Sequence, residues 1–382
     1  MKIRLKEFAV IVLIFIAVDF SVTQILKRNI DSLIKMKNFY QPTDYHHDLI
    51  PGEDTRRVWA NVGYRHITDG NGLRVGPCPG DVSGSKPPKK TSTVYIVGDS
   101  FAEGVGIAYE KTFAGLIACK YRTGGANILN LGASSLSPII YHRKIRKIVE
   151  KTGTPPDHII VFLDISDIHD EAVKYMEQDG KVIYAPSESG PPSMFERFSE
   201  KADKFMLRNF TSYLVYYYIR KKISALFGTT EDLSDYVVKK YITNIDARRL
   251  SVGNTFSRWT MDADLFEKYG RRGLEIASKN LKKITDICRE IGCGVTLAVY
   301  PWPDQIYEKD EQSLQVTYWR KWADRENVQF INLFPPFFGN DPVETIRNNF
   351  IPGDYHWNEN GHRLIFDELD KHIRGAPYLT AK

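Results

Sequence analysis

Val94-Tyr95-Ile96-Val97-Gly98-Asp99-Ser100 decides the fold. Four consecutive apolar residues predict a strand buried on both faces, the habit of a parallel sheet covered by helices. Gly98 lets the backbone turn sharply at the strand's carboxyl end, so that Ser100 is presented there. By itself the segment also reads as a strand followed by a helix that Asp99 or Ser100 merely caps. A second segment, Gly353-Asp354-Tyr355-His356-Trp357-Asn358, sets an acid two residues before a histidine near the end of the chain. Together the two segments supply a nucleophile, a general base and an acid to orient it.

Strands and helices alternate outward from the first segment. Glu110–Tyr121 places Phe113, Leu116 and Ile117 on one helical face, and Ile128–Leu131 is a second strand. Ser137 precedes a helix opened by Pro138, with Tyr141, Ile145, Ile148 and Val149 as its inner stripe. His158–Leu163, Val295–Val299 and Val328–Leu333 complete five strands. A helix bearing Leu274, Ala277, Leu281, Ile284 and Cys288 stops at Gly292, and Asn358 opens the last helix. The pattern predicts an α/β fold, three layers with a five-stranded, mainly parallel sheet, whose site lies at the carboxyl ends of the strands.

In four blocks the chain resembles the SGNH (GDSL-type) hydrolase superfamily from about Thr91 onward. Gly98-Asp99-Ser100 matches the nucleophile block and Asn130-Leu131-Gly132 the glycine block. Asp164-Ile165-Ser166-Asp167 stands where the family has Gly-x-Asn-Asp, and Asp354-Tyr355-His356 with Asn358 and Gly361 matches the last block. The resemblance implies a flavodoxin-like SGNH fold with Ser100, His356 and Asp354 catalytic. It also implies an oxyanion held by the N–H groups of Ser100 and Gly132. Ser166 replaces the usual oxyanion asparagine and is a doubtful third donor. Asp99, Asp167 and Trp357 are further candidates for the oxyanion or substrate pocket. The acid-to-histidine spacing of two departs from the usual three. With Tyr300-Pro301-Trp302-Pro303 and Asn71-Gly72-Leu73-Arg74, it looks like the membrane-linked branch that handles O-acetyl groups of exported polysaccharides such as alginate.

The N-terminus reads as a signal anchor. Lys2, Arg4 and Lys6 precede an apolar stretch from Phe8 to Leu26, interrupted by Asp19 and followed by Lys27-Arg28. Its length is enough for one transmembrane helix, and no small-x-small cleavage site follows; a cleaved signal peptide is the rival reading. Asp19 is costly in lipid and calls for a neighbouring helix or a wet interface. The expected organisation is an anchor over 1–28, a turn-rich extension and linker over 29–90, and the catalytic domain over 91–382. A helical, aromatic-rich insertion occupies 171–262, with Phe195 to Leu226 as a long helix and a lid or subdomain role. The anchor places the domain outside the cytoplasmic membrane, in the periplasm.

Hydrophobic residues make up 42% and charged residues 26%, as in a folded domain, and a net charge of +5 without a basic run points away from nucleic acid. The chemistry calls for no cofactor and no metal. The four cysteines follow no metal-ligand spacing, and Cys288 and Cys293 read as small hydrophobes beside a turn. His46-His47-Asp48 reads as hydrogen-bonded loop rather than as a metal site, and so does the cluster Asp164, Asp167, His169 and Asp170. His362 is a rival base, but it has no acid nearby.

Three functions stay open. One is hydrolysis of an ester, an O-acetyl group on an exported glycan. Another is acetyl transfer to a cell-surface polysaccharide, which needs a multispanning partner to supply the acyl donor. The third is a non-catalytic glycan-binding scaffold.

Overall fold

The computed structural model describes residues 13–25, 40–60, 62–78, 92–186 and 250–379, together with 202, 205–206, 209–213 and 215–216. The chain divides into two compact units, residues 40–185 with 233–382, and residues 1–39 with 186–232.

The larger unit is built on eight strands. In chain order they are β1 (Asp54–Trp59), β2 (Val62–Thr68), β3 (Arg74–Val75), β4 (Ser92–Gly98), β5 (Ala126–Asn130), β6 (His158–Leu163), β7 (Gly294–Val299) and β8 (Gln329–Asn332). Across the sheet the order is β8-β7-β6-β4-β5-β3-β2-β1. The five expected strands are β4 to β8, and each pairs in parallel with its neighbours among them. Every residue of β4 and β6 is buried, because helices cover the sheet.

The expected five-stranded sheet is too small by three. Residues read as a turn-rich extension form β1, β2 and β3, which join antiparallel beside β5 through the pair Arg74↔Asn130. Charged and polar residues alternate along β1 and β2, and this had masked their place in a continuous sheet. The apolar signal is weak there because the inward face buries Arg57 and His66 rather than aliphatic side chains. Two short hairpins, Tyr40–Thr43 with His46–Leu49 and Tyr175–Gln178 with Lys181–Tyr184, stand apart from this sheet.

The principal helices are α1 (Ser100–Glu103), α2 (Phe113–Arg122), α3 (Pro138–Thr152), α4 (Arg271–Ile291), α5 (Leu314–Glu326) and α6 (Glu359–Ile373). α4 packs against α3, and α6 against α2. α4 ends where Gly292 adopts a left-handed conformation (φ 78°), which a residue with a side chain rarely takes. At α6 the Asn358 side chain accepts from the N–H groups of Asn360 and Gly361. Ser137 precedes α3 without capping it through its side chain; its hydroxyl instead donates to Glu171 at 2.7 Å.

The cysteines depart from expectation. Cys78 is joined to Cys119 and Cys288 to Cys293, so the pair read as packing hydrophobes is a disulfide.

In the smaller unit residues 13–25 are helical. Asp19 accepts hydrogen bonds from the backbone N–H of Ser212, at 3.1 Å, and from its hydroxyl. One turn on, the Thr23 and Thr211 hydroxyls meet at 2.8 Å, and Phe20 packs against Phe210. Asp19, half-exposed, is thus partnered by the insertion. Among the described residues no helix is long and apolar enough to cross a membrane. The first part of the apolar stretch, the linker at 84–90 and most of Phe195–Leu226 lie outside the described residues.

Candidate active site

Ser100 is the first residue of α1, at the carboxyl end of the central strand β4. Gly98 is required there, since a Cβ would lie 2.7 Å from the Ala102 Cβ and 2.8 Å from the Phe162 carbonyl oxygen. Asp99 Oδ1 accepts from the Phe101 N–H at 3.0 Å, capping the short helix.

His356 approaches from the far end of the chain. Its Nε2 lies 2.8 Å from Ser100 Oγ, and its Nδ1 lies 2.5 Å from Asp354 Oδ1. A spacing of two suffices because the chain turns tightly. Asp354 N–H donates to the Ile351 carbonyl, the Ile351 N–H donates to that of His356, and Gly353 takes a positive φ of 75°. The same Asp354 oxygen also accepts the backbone N–H of His356 at 2.9 Å, locking the acid beneath its own histidine. The carboxylate fixes the proton on Nδ1 and leaves Nε2 to accept from the serine. Burial would raise the Asp354 carboxyl, but the charge and hydrogen bonds of His356, with that of Trp59, hold it below the usual carboxylate range.

A group of buried carboxyls lies beside Ser100. Ser100 Oγ is 3.0 Å from Asp99 Oδ2. Asp164 accepts from the Ser166 hydroxyl at 2.5 Å and from the Trp302 indole N–H at 2.7 Å. Asp167 accepts from the Tyr141 hydroxyl at 2.8 Å and from the Asp164 N–H at 3.1 Å. Burial raises all three carboxyls, and mutual repulsion pushes Asp99 and Asp167 well above the ordinary range.

The structure thus brings Ser100, His356, Asp354 and Asp99 together, with Asp167 close behind. It places the other expected site residues elsewhere. The Gly132 N–H, expected to face the oxyanion, donates to Asn130 Oδ1 at 2.9 Å. The role of Gly132 in this structure is one of space, because a Cβ there would lie 2.4 Å from the Glu103 nitrogen. The Ser166 hydroxyl is turned to Asp164 rather than outward. Trp357 is fully buried and packs edge-on against Phe101 and Tyr300. Its apolar bulk was mistaken for a substrate surface because it follows the histidine directly.

The rival base His362 is buried, accepts from the Phe113 N–H at 3.3 Å, and is pushed down to about 3 by burial, so it is held neutral. Around the Asp48 carboxylate stand Lys144 and Tyr45, and His47 bonds to the Ser134 carbonyl, so this triplet, expected as a loop, is a hydrogen-bonded hairpin strand. Asp170 pairs with Lys174 at 2.7 Å. Among the described residues no cluster of potential metal ligands occurs.

Two half-buried aromatics at the site escaped the sequence. Tyr355 stacks on Trp302 at 4.2 Å and lies against His356. Trp59 meets the His356 ring edge to face at 5.1 Å, and its indole N–H donates to Asp354 Oδ2 at 3.2 Å. Tyr355 had a signal, its place inside the last motif. Trp59 had none, since nothing local marks the end of a polar hairpin strand as part of a site nearly three hundred residues away.

No protein-family model matches this chain, and no curated protein matches it. Solved structures similar to it include a psychrotrophic esterase from Pseudoalteromonas sp., with 12% identity over 74% of this chain and 97% of that one, at a TM-score of 0.37. A member of the lipolytic protein G-D-S-L family from Veillonella parvula is 12% identical over 74% of this chain and 98% of that one, at 0.35. An acetylxylan esterase from Geobacillus stearothermophilus is 9% identical over 78% of this chain and 100% of that one, at 0.37. Likeness at these scores adds nothing to the site's own geometry.

Proposed function

We propose that the chain is a serine ester hydrolase of the SGNH kind that works through an acyl-enzyme on O-acetyl groups of an exported glycan. The observation that carries the reading is the continuous relay from Ser100 Oγ through His356 to Asp354. His356 takes the serine proton as Oγ attacks the ester carbonyl, and returns it to the departing sugar oxygen. Water, deprotonated by the same nitrogen, then releases acetate from Ser100. Such a relay argues against a mere scaffold. The glycan is suggested by the half-buried rings of Trp59 and Tyr355 beside the nucleophile, since sugars pack on aromatic faces. The two disulfides favour an oxidising compartment, in keeping with an anchored, periplasmic domain.

Acetyl transfer to a polysaccharide, fed by a multispanning partner, is a second reading. It is favoured by the burial of Ser100, only 7% exposed, which restricts water around the acyl-enzyme.

A fluorophosphonate probe and p-nitrophenyl acetate test the chemistry, and Ser100→Ala is expected to abolish both labelling and turnover. Product analysis on an acetylated oligosaccharide, with and without an unacetylated acceptor, separates acetate release from transfer. Labelling that persists in the Ser100→Ala chain would overturn the nucleophile.

A further inference from the structure

We propose that Trp59, on the N-terminal hairpin, is a positioning residue for the catalytic acid, so that the triad is completed by a fourth member from outside the α/β core. The proposal rests on the serine-hydrolase reading of the site.

The geometry is specific. Asp354 offers two oxygens. Oδ1 takes both the Nδ1–H and the backbone N–H of His356, and Oδ2 takes the Trp59 indole N–H at 3.2 Å. With donors on both oxygens the carboxylate cannot rotate without losing one. The edge-to-face contact of the Trp59 and His356 rings also limits tilting of the base.

Trp59 is itself rigidly held. It ends β1, which pairs with β2 from Asp54↔Ile67 to Trp59↔Val62. Two residues earlier, and so on the same face of the strand, Arg57 is buried. Its guanidinium lies 3.1 Å from Glu53 and 3.6 Å from Glu103. Glu103 closes the helix that Ser100 opens. One strand therefore grips the nucleophile's helix through Arg57 and the acid through Trp59. A ring serving only as a wall would need neither the N–H aimed at Asp354 nor that anchoring.

Trp59→Phe keeps a ring edge against His356 and removes the N–H. Loss of one hydrogen bond to a charged group is expected to lower kcat for p-nitrophenyl acetate about tenfold, with KM little changed. The acid limb of the kcat/KM profile is expected to move to higher pH, because the carboxylate then leaves more of its charge to the imidazolium. A KM change alone, with the acid limb unmoved, would make Trp59 a substrate wall and overturn the proposal. A second measurement does not depend on turnover or on the folding of Trp59→Phe. In the 15N-labelled full chain, the Trp59 indole resonance is expected to move upfield in Asp354→Asn, a weaker acceptor. An unmoved resonance would overturn the bond itself. A chain that turns over no ester yet shows the shift would sink the hydrolase reading while leaving the Trp59–Asp354 link in place.

Discussion

The Asp99 carboxyl and the Ser100 hydroxyl, neighbours in the chain, also lie within hydrogen-bond distance at 3.0 Å. The serine has a single proton and two flanking acceptors, since His356 Nε2 is 2.8 Å away. An ionised Asp99 would compete with the base for that proton. Burial, and then the charge of Asp164, push Asp99 well above the ordinary carboxyl range. A neutral carboxyl can donate to Oγ and leave the serine proton to His356. Asp99→Asn, uncharged and still able to cap α1, is expected to keep kcat/KM within a few-fold and to extend activity to higher pH. Asp99→Ala loses the cap and is expected to do worse on both counts. pH profiles of the two variants check this, and an inactive Asp99→Asn would show that the charge is needed.

His356→Ala is expected to lower ester turnover by about four powers of ten, as the loss of a base does in other triads. His362→Asn is expected to leave turnover nearly intact, because that ring accepts from the Phe113 N–H and is held neutral. Steady-state rates on p-nitrophenyl acetate decide between them.

Glu171 gives a stability prediction. It is buried and accepts from Ser137, Ile139 and Asn280, yet burial pushes it up to about 7. A carboxyl raised in the folded state binds its proton more tightly there than in the unfolded chain. Its contribution is therefore fully present below the ordinary glutamate range and is lost as pH rises towards 7. The difference in unfolding free energy between the native chain and Glu171→Gln is expected to shift against the native chain by about 3 kcal/mol from pH 4.5 to pH 7.5. Urea titrations of both across that window measure it. Taking the difference cancels the buried histidines, which titrate in both.

Reducing the Cys78–Cys119 disulfide reopens a long loop, the partners being 41 residues apart. The chain-entropy argument gives a loss of about 4 kcal/mol for a loop of this length. Cys78→Ser with Cys119→Ser is expected to show that loss in urea unfolding while leaving fluorophosphonate labelling of Ser100 unchanged.

Much of the fold was legible because its core strands are unbroken apolar runs ended by turn chemistry. β6 falls on the expected residues, and β4 extends its expected span at both ends. The meeting of Ser100, His356 and Asp354 was legible because each sits in a short local pattern. The oxyanion donors were not. Whether the Gly132 N–H faces the site depends on the Asn130 side chain, and whether Ser166 does depends on Asp164; sequence spacing encodes neither orientation. The place of the β1–β2 hairpin in the main sheet was not legible, because it depends on buried charge, which reads as surface in a sequence.

That hairpin limits how the chain can be trimmed. Glu103 is fully buried, and the cationic or titratable groups that face it, Arg57, His66 and Arg74, all precede the first core strand, while the Ser134 N–H and hydroxyl donate to it from within the core. Tyr40 also reaches it, at 3.1 Å. A form cut near Thr91 would leave the buried Glu103 carboxylate without its cationic partners at the end of the Ser100 helix and bare the edge of β5 to other chains. A soluble form suited to crystallisation or assay therefore has to begin before Tyr40.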